Sequence, residues 1–197
     1  MNRVTETRLP TAWGDFNMIA YANEPMEMPH LALVAGTPDL SKPVLVRIHS
    51  ECMTGDVFAS ARCDCGEQLH YAMSLAGKEN GIVIYLRQEG RGIGLINKMK
   101  AYNLQDQGLD TAKANTCLGF EVDSRNFDLG IEILQGLGVK QIRLLTNNPE
   151  KVAVFDNGPI EVVERLPIII PPQAENLSYL QTKQTVMGHL LDLNGHG

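Results

Sequence analysis

Cys52, Cys63 and Cys65 stand in a Cys-x10-Cys-x-Cys spacing. Thiolates are the softest ligands a protein offers, and three together select zinc over magnesium or calcium. Cys63 and Cys65 lie two positions apart, so an extended or turning backbone can aim both sulfurs to one side. Three sulfurs leave a tetrahedral ion one ligand short. A closed structural site would recruit a fourth protein ligand, for which His49, His70 and Cys117 are candidates. A catalytic site would keep that position for water, whose pKa zinc lowers to about 7. The bland alternative is three unrelated buried thiols, but Cys63-Asp64-Cys65-Gly66 is polar for a core segment. Cys117, apart from the trio, reads as a buried free thiol.

Three further stretches could do chemistry. Arg87-Gln-Glu-Gly-Arg-Gly-Ile-Gly94 follows an apolar run and precedes a helical one. Glycines there let backbone amides approach an anion, and Arg91 can grip a phosphate with two nitrogens. The spacing is neither that of a Walker A loop nor that of a dinucleotide fingerprint, and a plain glycine turn would look similar. Thr146-Asn-Asn-Pro-Glu-Lys151 is a helix start, with Asn148 as N-cap and Pro149 at the first helical position. It offers donors to a phosphate, or only a good cap. Asp123 and Arg125 share a face of an extended segment and can form a charge-assisted pair. Lys98 and Lys100 read as solvated charges. Leu95, Met99, Tyr102 and Asp106 recur at helical spacing and mark the expected inward face of their helix.

The elements that must position these groups alternate between strand and helix. Residues 8–35 read as paired strands, Leu9–Phe16, Met18–Tyr21 and His30–Val34, with Gly14-Asp15 as a turn. Val44–Ile48 is a buried strand leading into Cys52, which puts the thiol cluster at a strand end, where α/β sheets hold ligands. Helices are expected over 67–78, 95–107 and 126–136, and near 178–191. Strands are expected at Ile82–Leu86, Val139–Leu145 and Ile160–Val163. The pattern predicts a layered α/β/α domain with a mixed sheet, N-terminal β-strands and a short C-terminal helical tail. Residues 1–172 form the expected catalytic domain, and residues 173–197 a tail belonging to the same unit.

The 197 residues suffice for an adequate core, and the formal charge of −6 argues against a general nucleic-acid surface. The first residues contain no apolar stretch of a signal peptide, and no run is long and apolar enough for a membrane span. Thiols gathered as ligands rather than spread as pairs fit a reducing cytoplasm.

Several blocks occur in order: Arg47-Ile-His-Ser-Glu-Cys-Met-Thr-Gly-Asp56, Arg62-Cys-Asp-Cys-Gly66, Tyr85-Leu-Arg-Gln-Glu-Gly-Arg-Gly-Ile-Gly94, Leu104-Gln-Asp-Gln-Gly-Leu-Asp-Thr111, Leu144-Leu-Thr-Asn-Asn-Pro149 and Thr182-Lys-Gln-Thr-Val-Met-Gly-His189. Together they make residues 7–190 resemble GTP cyclohydrolase II, the first enzyme of riboflavin biosynthesis. The resemblance implies zinc-dependent hydrolysis of GTP, releasing formate and diphosphate to give 2,5-diamino-6-(5-phosphoribosylamino)pyrimidin-4(3H)-one. It implies one zinc per chain on Cys52, Cys63 and Cys65, and magnesium on the triphosphate. It implies GTP contacts from Arg47, Ile48, His49, Ser50, Glu51, Gln68, Glu89, Gly90, Arg91, Thr111, Thr146 and Lys151. It also implies catalytic roles for Asp123 as proton acceptor, Arg125 as nucleophile toward the α-phosphorus, and Tyr102. An arginine stays protonated at any working pH, so an electrostatic clamp is the simpler role for Arg125. A cytoplasmic homodimer is the implied form. Because the chain starts at the cyclohydrolase region, the monofunctional form is expected, without the dihydroxybutanone-phosphate synthase domain of bifunctional relatives.

Overall fold

The computed structural model describes residues 1–24, 28–121, 123–191 and 193; the side chains of residues 111 and 112 lie outside that description. The chain divides into two compact units that interleave in sequence. The first comprises residues 1–49, 69–87 and 127–168, and the second 50–68, 88–126 and 169–197.

The first unit carries a mixed sheet of seven strands: β1 (Asn2–Thr11), β2 (Gly14–Ala22), β3 (His30–Ala35), β4 (Val44–Ser50), β5 (Ile82–Leu86), β6 (Gln141–Leu145) and β7 (Glu161–Leu166). Their spatial order is β1-β2-β3-β5-β4-β6-β7. β1–β2, β2–β3 and β3–β5 run antiparallel, whereas β4–β6 and β6–β7 run parallel. This is the expected α/β class with a mixed sheet.

The hairpin differs from expectation. Leu9–Phe16 is not one strand; it contains the turn, with Thr11 paired to Gly14 across Ala12-Trp13. The Thr11 hydroxyl accepts from the Trp13 N–H at 3.1 Å and donates to the Gly14 carbonyl at 2.8 Å, a local bond that competes with strand extension. β1 also begins earlier, at Asn2.

β4 is buried along nearly its whole length, as a strand in the middle of a sheet should be. Side chains alternate across it, so Val46 and Ile48 lie on one face and Arg47 and His49 on the other. Val46, Ile48, Ile84, Leu86, Ile133, Leu134, Ile142 and Leu144 are core residues. The helices of this unit are the latter part of α2 (Cys65–Glu79), α5 (Asp128–Gly136) and the short α6 (Glu150–Ala153). Gly77 lets α2 come close to the hairpin turn, since a Cβ there would stand 1.9 Å from the Trp13 carbonyl oxygen.

The second unit contains α1 (Met53–Asp56), the first turn of α2, a 3-10 turn (Glu89–Gly92), α3 (Gly94–Asp106), α4 (Thr111–Cys117) and α7 (Leu177–Thr185). α3 ends as expected before Gly108, whose φ of +97° suits glycine. α7 is shorter than the expected helix near 178–191. Among the described residues no helix is long and apolar enough to cross a membrane.

Candidate metal centre

Cys52 caps the N-terminus of α1, Cys63 lies in the following loop, and Cys65 opens α2. Their sulfurs lie within 4.8 Å of one another, and those of Cys52 and Cys63 are 3.6 Å apart. Sulfurs placed tetrahedrally about 2.3 Å from one ion stand about 3.8 Å apart, so the trio fits a shared metal. Gly55 makes the space: a Cβ there would lie 2.9 Å from the Cys63 sulfur and 3.3 Å from that of Cys52. Asp56 accepts the Cys52 N–H at 2.9 Å and fixes the start of α1.

Among the described residues no further His, Cys, Asp or Glu joins the three sulfurs. His49 stacks on Tyr85 and His70 packs against Trp13. Cys117 is exposed, not buried as its residue type suggested, because α4 turns that thiol to solvent. The described residues thus offer a shared metal three sulfur ligands, one fewer than a closed tetrahedral shell uses.

Without an ion the three thiols share protons. Hydrogen bonds from Cys63 and Cys65 draw Cys52 far below the ordinary thiol range, and the Lys98 ammonium adds to this. The hydrogen bonds that Cys63 and Cys65 share with Cys52, together with burial and the Cys52 charge, push Cys63 up to about 11 and Cys65 well upward. Loading three thiolate ligands therefore expels protons.

Lys98 corrects the expectation of a solvated charge. It is buried, and its ammonium donates to the Cys52 sulfur at 3.1 Å, the Thr54 hydroxyl at 2.9 Å and Glu89 Oε1 at 2.8 Å. Burial works against its charge, but the Cys52 thiolate and Glu89 hold its pKa above the lysine range. The inward face of α3 is set by Lys98 and Ala101, while Met99 and Asp106 lie outside. The apolar phase through Leu95 and Met99 was misleading because the group that α3 buries is an ammonium. Nothing local in the sequence marks this, since Cys52, Thr54 and Glu89 are dispersed along the chain.

Tyr102 is half-buried beside this cluster. Its hydroxyl is 3.4 Å from the Thr54 hydroxyl, and the Arg62 guanidinium lies 4.8 Å from its ring centre. Burial raises its pKa. Arg62 also pairs with Asp106 at 2.5 Å.

Glu89 is wholly engaged by the protein. One oxygen accepts from Lys98 and from Gly90 N–H at 2.7 Å, the other from Met53 N–H at 2.6 Å. The glycine loop that follows is a run of left-handed backbone: Gly90, Arg91, Gly92 and Gly94 have φ of +61°, +63°, +92° and +79°. Arg91 is the strained member, being no glycine. Both its terminal nitrogens are buried with no hydrogen-bond partner among the described residues. Its carbonyl accepts the Ser124 N–H at 3.1 Å, which brings the loop beside Asp123 and Arg125. There Arg125 Nε donates to Asp123 at 2.8 Å, and a terminal nitrogen donates to the second carboxylate oxygen. Burial pushes Asp123 upward, but the bonds from Arg125 outweigh it and hold the carboxyl below its usual value.

Near the cysteines, Asp64 is buried and accepts from Gln68 at 2.5 Å and from Lys183 of α7 at 2.8 Å. The sequence reading missed this tie; the Thr182-to-His189 block was its only signal. Ser50 has a buried hydroxyl without a partner among the described residues, and Glu51 is buried. Thr111 opens α4, but its side chain lies outside the described residues.

The remaining expected site residues belong to the first unit. Arg47 is buried and donates to the Leu145 carbonyl at 3.0 Å. The Ile48 side chain is core, and its carbonyl accepts from Lys151 at 2.8 Å. Lys151 also lies over the Phe127 ring, 5.0 Å from its centre. The Thr146 hydroxyl accepts the Asn148 N–H, and Asn148 Oδ1 caps the Glu150 N–H at 2.9 Å. The Asn148 bond is there, but the regular helix starts at Glu150 with Pro149, not Asn148, at the N-cap position.

A sequence profile described as GTP cyclohydrolase II matches residues 2–167. The "Riboflavin biosynthesis protein RibBA" of Bacillus cytotoxicus is 51% identical over 98% of this chain and 49% of its own length. The protein of the same name from Chlorobium phaeovibrioides is 52% identical over 97% of this chain and 47% of its own. The chain thus spans about half the length of the curated relatives it matches. A solved structure, RibBX, "a two domain 3,4-dihydroxy-2-butanone 4-phosphate synthase from A. baumannii", aligns over 86% of this chain and 40% of that one, with TM-score 0.45 and 18% identity, too distant a likeness to bear on function.

Proposed function

Because the chain belongs to the GTP cyclohydrolase II family, we propose that it hydrolyses GTP as the first step of riboflavin biosynthesis. The reaction opens the guanine imidazole ring and releases formate and diphosphate, leaving 2,5-diamino-6-(5-phosphoribosylamino)pyrimidin-4(3H)-one. The observation that carries this reading is the gathering of the Cys52, Cys63 and Cys65 sulfurs within 4.8 Å of one another. We take the ion to be zinc, one per chain. When bound, it supplies Lewis-acid activation of water for attack at guanine C8 and at the formyl group.

The chain's own residues do the rest. The Tyr102 hydroxyl is a proton donor or acceptor beside the centre. Arg91 and the amides of the glycine loop bind phosphate oxygens, which would satisfy the two buried guanidinium nitrogens. Arg125, fixed by Asp123, offsets the charge that develops as diphosphate leaves. Magnesium accompanies the triphosphate as part of the substrate. Arg47, Ile48 through its backbone, His49, Ser50, Glu51, Gln68, Gly90, Thr111, Thr146 and Lys151 complete the proposed GTP contacts. Glu89, whose carboxylate also holds Lys98 and the Met53 and Gly90 N–H groups, is among the proposed contacts as well. The proposal includes a cytoplasmic homodimer without nucleic-acid partners, with residues 1–172 as catalytic domain and 173–197 as part of it.

The test is direct. Purified protein is incubated with GTP, zinc and magnesium, and formate and diphosphate are quantified. Release of both, abolished by a zinc chelator and restored by zinc, is expected. A zinc-loaded, folded protein that releases no formate from GTP would refute the reading.

A further inference from the structure

Three thiolates around a divalent cation carry one negative charge more than the ion neutralises. Such a site holds its metal firmly only if neighbouring groups orient the sulfurs and offset that surplus. One such group stands out in the second unit. An ammonium has three protons and no acceptor, and each proton of Lys98 has its own target: the Cys52 sulfur, the Thr54 hydroxyl and Glu89 Oε1. Glu89 is in turn held by the Met53 and Gly90 N–H groups. Met53 directly follows the ligand Cys52, and Gly90 begins the left-handed run of the glycine loop. The ammonium is therefore held from three sides, with a charge-assisted bond on a candidate ligand.

We propose that Lys98 is a positioning residue for the metal: it orients the Cys52 thiolate and compensates the negative charge of the trio, through the buried chain Cys52–Lys98–Glu89. This rests on the reading that the three cysteines bind zinc. Lys98 touches a ligand rather than the ion, so it acts through Cys52. Neutral replacement should weaken metal binding even where the fold survives. A purely structural lysine would affect thermal stability and leave the affinity of the folded protein alone.

The experiment compares Lys98→Met and Lys98→Arg with the unaltered chain. Zinc affinity is measured by competition with a chromogenic chelator, and cobalt is used as a spectroscopic substitute, with circular dichroism as the folding control. Lys98→Met should bind zinc about tenfold to a hundredfold more weakly, the scale for losing a partner of a metal ligand, and should shift the sulfur-to-cobalt charge-transfer band. Lys98→Arg keeps the charge and should recover most of the affinity. If Lys98→Met does not fold, Lys98→Gln takes its place, keeping a donor without charge, and should still lose affinity. Undiminished zinc affinity with an unshifted cobalt band in a folded neutral variant overturns the proposal. Failure of the unaltered protein to bind zinc overturns the metal reading itself, so the two failures are distinct.

Discussion

Arg125 meets Asp123 through three of its groups: Nε, a terminal nitrogen and its own backbone N–H all donate to one carboxylate. Burial lowers the guanidinium's tendency to hold its proton, but the carboxylate outweighs this and raises its pKa further. A guanidinium so held stays protonated, which supports the proposed clamp over attack on phosphorus. Arg125→Ala should keep its zinc and lose GTP turnover by more than about a hundredfold, the scale for one transition-state donor. Arg125→Lys should be nearly inactive, because an ammonium cannot reproduce the fork. A guanylylated residue 125 in mass spectra of either form would show that the clamp reading is wrong.

Asp123 sets a pH dependence. Its folded pKa is depressed, so its contribution to stability is complete above the unfolded value of about 3.9. The contribution is lost as pH falls through the lower folded value. Asp123→Asn should therefore lower Tm at pH 7, with the gap to wild type closing only below about pH 4. Thermal scans from pH 7 to 3 check this; a gap that closes well above pH 4 would contradict the assigned direction.

Cys63→Ser and Cys65→Ser should each lose zinc and formate release together. Diphosphate release should persist, since the machinery proposed for that step is Arg125 and the substrate's magnesium. Full zinc stoichiometry in both variants would remove the ligand assignment.

Gly55 offers a milder test of the same cluster. Its added Cβ would crowd two sulfurs and the Cys65 Cβ, at 3.1 Å from the last. Gly55→Ala should fold, as alanine favours helix, and bind zinc measurably more weakly by chelator competition. Unchanged affinity would mean that the three sulfurs have room to shift.

Tyr102→Phe keeps the ring, which packs under Arg62, and removes only the hydroxyl. A catalytic hydroxyl predicts about a tenfold to thousandfold loss in ring opening or deformylation, with zinc affinity little changed and a formylated intermediate accumulating. Product formation at the wild-type rate would reduce Tyr102 to scaffold.

What the sequence determined by itself was local. Continuous apolar runs marked the inner strands near Val44, Ile82 and Val139, and glycines marked where the helices before Gly81 and Gly108 stop, whereas the N-terminal hairpin turn was misplaced. The spacing of Cys52, Cys63 and Cys65 marked three thiols that the fold gathers into one cluster, and the ordered blocks around them pointed to the family. Asp123 and Arg125, two residues apart, were legible as a pair because an extended segment puts them on one face. Tertiary structure alone decided the fate of charges and of the faces of helices. Lys98 is buried and Cys117 exposed, against the habits of both residue types. A buried ammonium depends on acceptors brought from Cys52, Thr54 and Glu89, positions far apart in the chain, and side-chain periodicity measures hydrophobicity rather than such satisfaction. The same holds for Lys183, whose partner Asp64 lies 119 residues away in sequence. Its burial is stable only because folding brings the two opposite charges together.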